Sequence, residues 1–316
     1  MTEITGQDVI VAEDLQKRYG DLEAVRGIRF RVTQGELFGF LGPNGAGKTT
    51  TMKICECVSP RTGGSLSIFS HDPDTQGREI RRRIGVVPQE TNLDPELSVA
   101  ENLLVYATFF DIPPAEAAER SEELMEFFEL TLKRDTLIEQ LSGGMKRRLE
   151  IARGLMTRPR ILFLDEPTIG LDPQTRQKTW EYLRAVNQEG TTIFMTTHYM
   201  DEADILSDSI ALIDHGTIIT RGSPEALKSG LGKDVIHLET GEMGRATEVI
   251  LGISGILSVQ PADGKLMIIS GTDGARILPG IIRAADDAGI DVRSVSLKKP
   301  SMDDVFLHYT GREIRD

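Results

Sequence analysis

Two glycine-rich segments of the chain each come directly before a helical run. The first is Gly42-Pro43-Asn44-Gly45-Ala46-Gly47-Lys48-Thr49, and the second is Leu141-Ser142-Gly143-Gly144-Met145. Glycine lets a ligand approach the backbone closely, and the unpaired N–H groups and dipole of a helix N-terminus attract anions. The sequence therefore predicts two anion-binding sites, which either serve one nucleotide within the chain or complete separate sites with a second copy.

The first segment has the spacing of a phosphate-binding loop. It matches the pattern G-x-x-x-x-G-K-[ST], follows the apolar run 36–41 and precedes a helical run, which is the context that the motif requires. In such a loop the backbone N–H groups wrap the phosphates, the lysine reaches the terminal phosphates and the hydroxyl group binds Mg²⁺. We therefore expect Lys48 to reach the terminal phosphates and the Thr49 hydroxyl to bind Mg²⁺.

Two adjacent acids, Asp165 and Glu166, end the apolar run 161–164. Successive side chains of a strand point to opposite faces, so the two acids are expected to have different roles. Asp165 can hold Mg²⁺, and Glu166 can act as the general base toward the attacking water in hydrolysis of a phosphoanhydride. An isolated Asp-Glu pair also fits two solvated acids. The phosphate loop in the same chain favours the catalytic interpretation.

His198 and Gln89 follow two other apolar runs, 192–195 and 84–87. In open α/β sheets, ligands bind at the edge where the strands have their carboxyl ends. His198 can therefore contact a γ-phosphate there and organise the attacking water. A lone histidine is more often a packed or surface residue, and Gln89 has the same ambiguity.

The elements that must position these residues are short apolar runs separated mostly by helical stretches. A run that alternates like a strand occurs at 28–32, and continuous runs typical of a buried parallel sheet occur at 36–41, 84–87, 161–164, 192–195 and 210–213. The pattern predicts an α/β fold in which a strand, the phosphate loop and a helix follow one another.

Two further regions have a different pattern. From about Ser98 to Leu137, apolar residues recur at helical spacing without a strand between them, so we expect an all-helical insert. Residues 229–233 have the composition of a linker. Beyond them we expect a small α+β domain, with strands near 235–238, 266–269 and 292–297 and a helix near 277–288.

The charge balance argues against nucleic acid as a partner. The formal net charge is -13, whereas phosphate backbones are bound by clustered lysine and arginine. We expect the local basic runs 81–83 and 146–148 to be solvated helix faces.

Cysteine spacing and hydropathy favour a reducing cytosol. Cys55 and Cys57, the only cysteines, are two positions apart in a predicted helix, where such positions do not face each other. Residues 1–5 lack the basic and apolar pattern of a secretion signal, and no apolar run approaches the ~18 residues of a spanning helix. A membrane role would then require a partner.

The order of these motifs resembles the ATP-binding cassette of the ABC ATPase family, from about Val9 to Leu227. The resemblance implies a P-loop NTPase fold with a RecA-like parallel sheet core, an antiparallel β subdomain and an α-helical insert at about 95–140. It assigns residues 1–230 to the ATP-binding domain, followed by a C-terminal α+β accessory domain at 231–316. The implied ligands are ATP and Mg²⁺. In that family two cassettes pair head to tail with ATP between them, which favours the two-copy interpretation.

The same resemblance assigns further contacts to one nucleotide. The loop from Gly42 through Thr50 binds the phosphates. Tyr19 is similar to the aromatic residue that stacks on adenine, and Gln89 to the glutamine that touches Mg²⁺ and senses the membrane partner. A tyrosine near a strand end packs structurally at least as often as it stacks on a ligand.

Other residues resemble those that meet the second copy. Ser142, Gly143 and Gly144 are similar to the signature that contacts the partner's γ-phosphate. Asp172 resembles the aspartate of the inter-subunit loop, although Ile169-Gly170 stand where many cassettes have Ser-Ala.

The leading hypothesis is an ATPase subunit that exports a hydrophobic compound. Met145 stands where many family members have Gln, and the segment 300–306 is similar to the close of drug- and antibiotic-exporter cassettes of the daunorubicin-resistance type. Such a subunit would dimerise on ATP and lie on the cytoplasmic face of the membrane through a separate permease. The alternatives are a non-transport ABC ATPase, acting as a mechanical or regulatory binding protein, and a P-loop kinase, which would leave residues 141–145 unexplained.

Overall fold

The computed structural model describes residues 6–262 and 264–311. The start of the chain, 1–5, on which the expectation of no secretion signal partly rests, lies outside the described residues. The chain divides between Thr220 and Arg221 into two compact units. Within the described ranges, no helix is both long enough and apolar enough to cross a membrane.

A six-stranded, largely parallel sheet forms the centre of the first unit. In spatial order it contains β5 (Ile84–Val87), β6 (Ile161–Asp165), β7 (Thr192–Thr197), β3 (Leu37–Leu41), β8 (Ser209–Asp214) and β9 (Thr217–Gly222). The pairs from β5 to β8 are parallel. Every residue of β3, β6 and β7 is buried, which explains their continuous apolar sequences.

An antiparallel sheet packs against this core. Its order is β2 (Leu22–Thr33), β1 (Asp8–Tyr19) and β4 (Gly63–Ile68). Phe30 from this sheet lies 5.8 Å from Phe38 and 5.9 Å from Phe194 between ring centroids. These aromatic contacts join the two sheets, so the predicted α/β cassette with an antiparallel subdomain is confirmed.

Seven α-helices accompany the sheets in the described part of the first unit: α1 (Lys48–Cys55), α2 (Pro73–Arg81), α3 (Val99–Thr108), α4 (Pro114–Phe127), α5 (Gly143–Leu155), α6 (Pro173–Gln188) and α7 (Met200–Leu206). α3 and α4 form the expected helical insert. Ser98 begins α3 with a capping box that includes Glu101.

The second unit is an antiparallel sheet with helices. Its elements are α8 (Pro224–Leu231), β10 (Asp234–Thr240), α9 (Met243–Leu251), β11 (Ile256–Ala262), β12 (Lys265–Ser270), α10 (Gly274–Asp287), β13 (Val292–Lys298) and α11 (Met302–Thr310), with strand order β11-β12-β10-β13. The α+β class agrees with the prediction. β11 and α9 were not predicted. The sequence of β11 is a weak strand signal, because it contains a proline and has only two buried positions.

Candidate functional site

The phosphate loop connects β3 to α1. Gly45 and Gly47 have φ angles of 79° and 106°, in the region that favours glycine. A Cβ at Gly47 would lie 2.6 Å from the Ala24 carbonyl oxygen, whereas no atom lies within 4 Å of the corresponding position at Gly45. No side chain caps α1 at its N-terminus. The first-turn N–H groups of α1 therefore offer an anion site beside open space.

Lys48 begins α1 and is buried, at 4% exposure. Its Nζ donates to the carbonyl oxygens of Gly42 at 2.7 Å and Pro43 at 3.1 Å. It also lies 3.5 Å from Oε1 of Glu166. Burial lowers the pKa of Lys48, and the Glu166 carboxylate opposes part of that effect.

Asp165 and Thr49 present neighbouring oxygen atoms. The Thr49 hydroxyl donates to Oδ1 of Asp165 at 3.2 Å, and the Thr196 hydroxyl donates to the same oxygen. Asp165 is buried at the end of β6. A carboxylate and a hydroxyl group are hard oxygen ligands, so these residues fit Mg²⁺ by their chemistry.

Glu166 lies among three of the predicted residues. Its Oε2 lies 3.1 Å from Nδ1 of His198 and accepts a hydrogen bond from Gln89 Nε2 at 3.5 Å, while Lys48 approaches the other oxygen. Burial raises the pKa of Glu166, but the hydrogen bond with His198 and the charges of His198 and Lys48 outweigh it, so the pKa is lowered overall. The carboxylate is therefore ionised at neutral pH and can accept a proton.

The backbone at Glu166 has a left-handed conformation, with φ of 47°. This region is unfavourable for residues other than glycine, and such strain is often found at functional sites. The Glu166 N–H donates to the Thr196 carbonyl oxygen at 3.1 Å, and the Glu166 carbonyl accepts from Arg147 at 3.3 Å. These bonds hold the turn that directs the carboxylate.

Arg147 corrects the expectation that residues 146–148 form a solvated helix face. It is only 7% exposed, because it lies under the turn that contains Glu166. The expectation holds for Arg81 and Arg82, which are exposed. One sequence signal could have identified Arg147: it stands four residues before Ile151, so it shares a helix face with an apolar residue.

The signature residues lie at the N-terminus of α5. The Ser142 hydroxyl caps the helix by accepting from Met145 N–H at 3.3 Å, and Ser142 and Gly143 are exposed. Asp172 caps α6 in the same way, since it accepts from the backbone of Gln174 and Thr175. The Thr175 hydroxyl also donates to Asp172 at 2.6 Å.

Tyr19 lies at the end of β1 and is 48% exposed. The Lys17 ammonium lies 4.8 Å from the centroid of the Tyr19 ring, so the two residues make a cation–π contact within the chain. The exposed ring also borders the larger pocket described next.

Many of the candidate residues line one of two pockets, whereas Gly143, Asp165, Asp172 and His198 line neither. The larger has a volume of about 580 Å³ and is lined by Tyr19, Asn44, Gly45, Gly47, Lys48, Thr49, Thr50, Gln89 and Glu166, among others. The smaller, about 160 Å³, lies where α5 and α6 begin and is lined by Ser142, Gly144 and Thr175, among others. No lining residue is shared by the two pockets. The phosphate loop and the signature therefore do not form one pocket within the chain.

Comparison with protein families assigns both units. The profile of the ABC transporter family matches residues 25–169, and that of the C-terminal domain of DrrA1-3-like ATP-binding proteins matches residues 222–310. The chain is 38% identical to the daunorubicin resistance ATP-binding protein DrrA3 of Streptomyces coeruleorubidus, over 97% of each chain. It is 36% identical to the Nod factor export ATP-binding protein I of Ralstonia nicotianae, over 98% of this chain and 95% of that protein.

Solved structures show the same fold. An ATP-binding cassette determined as a dimer with ADP and Pi matches 68% of this chain and 98% of its own, with 28% identity and a TM-score of 0.62. CbiO1 from Clostridium perfringens, part of an ABC transporter complex, matches 71% of this chain and 92% of its own, with 28% identity and a TM-score of 0.66.

Proposed function

We propose that this chain, which belongs to the family of ABC transporter ATP-binding proteins, hydrolyses ATP to drive export of a hydrophobic compound through a separate membrane-spanning subunit. Relatives named for daunorubicin resistance and Nod factor export support export as the direction of transport. The site of action proposed on this basis is the cytoplasmic face of the membrane, where the subunit is held by its permease.

The observation that carries the dimeric part of this proposal is the division of the two anion sites between separate pockets. A signature with exposed Ser142 and Gly143 at a helix N-terminus can bind phosphate, yet it lies outside the pocket of its own phosphate loop. In the proposed homodimer, each ATP lies between the phosphate loop of one copy and the signature of the other. Asp172 would lie in the contact between the copies.

The larger pocket is proposed to hold the nucleotide. Residues 42–47 and the first turn of α1 would surround the phosphates, with Lys48 at the terminal phosphates and Tyr19 against adenine. Mg²⁺, when bound, neutralises phosphate charge, and Thr49, Gln89 and Asp165 would hold it.

Glu166 is proposed as the general base of hydrolysis. It would accept a proton from water as the water oxygen bonds to the γ-phosphorus, and the bond from that phosphorus to the bridging oxygen of ADP breaks. His198 lies against the same carboxylate and would orient the water and contact the γ-phosphate. Lys48 would stabilise the charge on the transferring phosphoryl group.

The domain assignment of the proposal is residues 1–230 for the ATP-binding domain and 231–316 for the accessory domain. The division into compact units between residues 220 and 221 and the start of the C-terminal family match at residue 222 support a boundary close to this one, about ten residues earlier in the chain. The second domain is proposed to take part in dimer contact or in regulation.

Glu166→Gln tests the proposed function. The variant should bind ATP but lose turnover, because the amide cannot accept the proton. It should therefore remain trapped as a dimer, which light scattering would detect. Glu181→Gln, an exposed change on α6, should behave as the unsubstituted protein. Normal hydrolysis by Glu166→Gln would refute the assignment of the base. ATP turnover without an added acceptor would exclude a kinase, whereas turnover only with an acceptor would refute the proposal.

A further inference from the structure

Arg147 is a buried arginine whose guanidinium group is fully used by the protein. All three of its nitrogens donate, and the acceptors belong to different segments. Nε donates to Pro167 O at 2.8 Å, Nη1 to Pro88 O at 2.7 Å and Glu150 Oε2 at 2.8 Å, and Nη2 to Asp165 O at 3.0 Å and Glu166 O at 3.3 Å.

These bonds connect three parts of the molecule. Arg147 lies on α5, five residues after Ser142. Its acceptors at 165–167 form the turn that carries Glu166, and Pro88 directly precedes Gln89. The only charged acceptor, Glu150, lies one turn away on the same helix and compensates the buried positive charge.

We propose that Arg147 is a positioning residue that couples the signature end of α5 to the turn holding Glu166 in the same chain. This inference rests on the proposed dimer, in which α5 faces the nucleotide of the partner while Glu166 acts on the nucleotide of its own chain. Arg147 would then transmit the state of one ATP site to the other.

The geometry suits such a coupling. An α-helix rises about 1.5 Å per residue, so Ser142 and Arg147 are about 7.5 Å apart along the axis of a stiff element. A shift of α5 when Ser142 meets the partner's nucleotide would move the guanidinium group, and with it the carbonyl groups of Asp165, Glu166 and Pro167. Because the φ angle of Glu166 is strained, the turn depends on these bonds to keep its shape.

Lysine cannot replace this arrangement. Its ammonium group has three donors at one point, whereas the guanidinium group distributes its donors in a planar fork. Arg147→Lys keeps the positive charge beside Glu150 but cannot reach all the carbonyl groups together. The expected defect is therefore in the position of Glu166, with ATP affinity retained.

The experiment uses mixed dimers purified through two different tags. Chain Y carries Glu166→Gln, so single-turnover hydrolysis reports only the site with Glu166 of chain X and Ser142 of chain Y. Arg147→Lys is placed in chain X in one arm and in chain Y in the other. We expect a loss of roughly tenfold to a hundredfold in both arms, the scale that misplacement of a reacting or binding group produces. In chain X the change would misplace Glu166 of the measured site, and in chain Y it would displace α5 and with it Ser142 at that site. The ATP affinity of the single chains should be unchanged.

Arg153→Lys is the matched control. Arg153 lies on the same helix, is 8% exposed and donates to Asn92 O at 2.8 Å, away from the turn at 165–167. It should leave the turnover rate close to that of the unsubstituted dimer, because its hydrogen bond does not reach the turn that carries Glu166. If Arg147→Lys lowers hydrolysis only when it is in chain X, the proposed coupling is wrong. If it lowers hydrolysis in neither chain, the positioning role is wrong as well.

Two further measurements keep the test decisive. Ser142→Arg in chain Y should abolish turnover, and if it does not, the proposed dimer is wrong independently of Arg147. If Arg147→Lys unfolds the chain, Glu150→Gln replaces it, since this change leaves the arginine in place and removes its charged acceptor. We expect a smaller loss in both arms, and equal rates to the unsubstituted dimer would overturn the proposal.

Discussion

Alanine at Gly144 would place a methyl group against the side chain of Thr175. The added Cβ would lie closer to Thr175 Cγ2 than the 3.0 Å that Cβ atoms keep from other atoms, so either the Thr175 side chain must rotate away from its bond to Asp172 or one of the helices α5 and α6 must shift. At the neighbouring Gly143, no atom lies within 4 Å of an added Cβ. The two glycines thus form a matched pair, because both belong to the first turn of α5.

The magnitude follows from this comparison. Overpacking costs about 1–3 kcal/mol in a well-packed core, and because Gly144 and Thr175 are only half-buried, the cost here lies at the lower end of that range. Alanine in a helix gains up to about 1 kcal/mol over glycine. The helix gain is common to both variants and cancels between them, so Gly144→Ala should be about 1 kcal/mol less stable than Gly143→Ala.

Trp180 provides the assay. It is the only tryptophan and lies on α6, the helix that carries Thr175, so its fluorescence during urea unfolding reports the first unit. Thr175→Ser removes Cγ2 and keeps the hydroxyl group that bonds to Asp172, and it should rescue the stability of Gly144→Ala. Equal stability of the two alanine variants, or no rescue by serine, would refute the reasoning.

Two other predictions concern buried acids. Glu202 accepts hydrogen bonds from Thr168 Oγ1 at 2.7 Å and from Trp180 Nε1 at 3.0 Å. Glu202→Gln should be tolerated, because the amide oxygen can still accept these bonds. Glu202→Ala should lower the free energy of unfolding by about 2–5 kcal/mol, as measured by urea unfolding followed by Trp180 fluorescence. Burial raises the pKa of Asp304, but hydrogen bonds with His237 and Ser301 lower it to about 2. This lowered pKa stabilises the folded state by about 2 kcal/mol above pH ~4, and the stabilisation is lost as the pH falls toward 2. Amide exchange in α11 should become faster over this pH range, and Asp304→Asn should remove this pH dependence.

The fold was predictable where one physical signal dominates. The runs at 36–41, 161–164 and 192–195 are almost entirely apolar because β3, β6 and β7 are buried on both faces. β4 and β9 gave no such signal, since most of their residues remain partly or fully exposed. Their pairing is determined by neighbouring strands that a local pattern does not report.

The candidate site was predictable in composition but not in geometry. Strand ends predict that Glu166, Gln89 and His198 meet at one edge of the sheet, and the structure brings them together. The left-handed turn at Glu166 depends on tertiary hydrogen bonds, so no local pattern announces it. Arg147 was misjudged for the same reason: a charge run does not show which of its members faces a backbone turn.

Trans-complementation tests most directly whether one copy's signature completes the other copy's site. Ser142→Arg and Glu166→Gln should each be inactive alone, because both sites of either homodimer are defective. A mixed dimer has one site with an intact Glu166 and an intact Ser142. In a one-to-one mixture, half of the dimers are mixed and half of their sites work, so ATPase activity should recover to about a quarter of the unsubstituted rate. A mixture as inactive as its components would contradict the account.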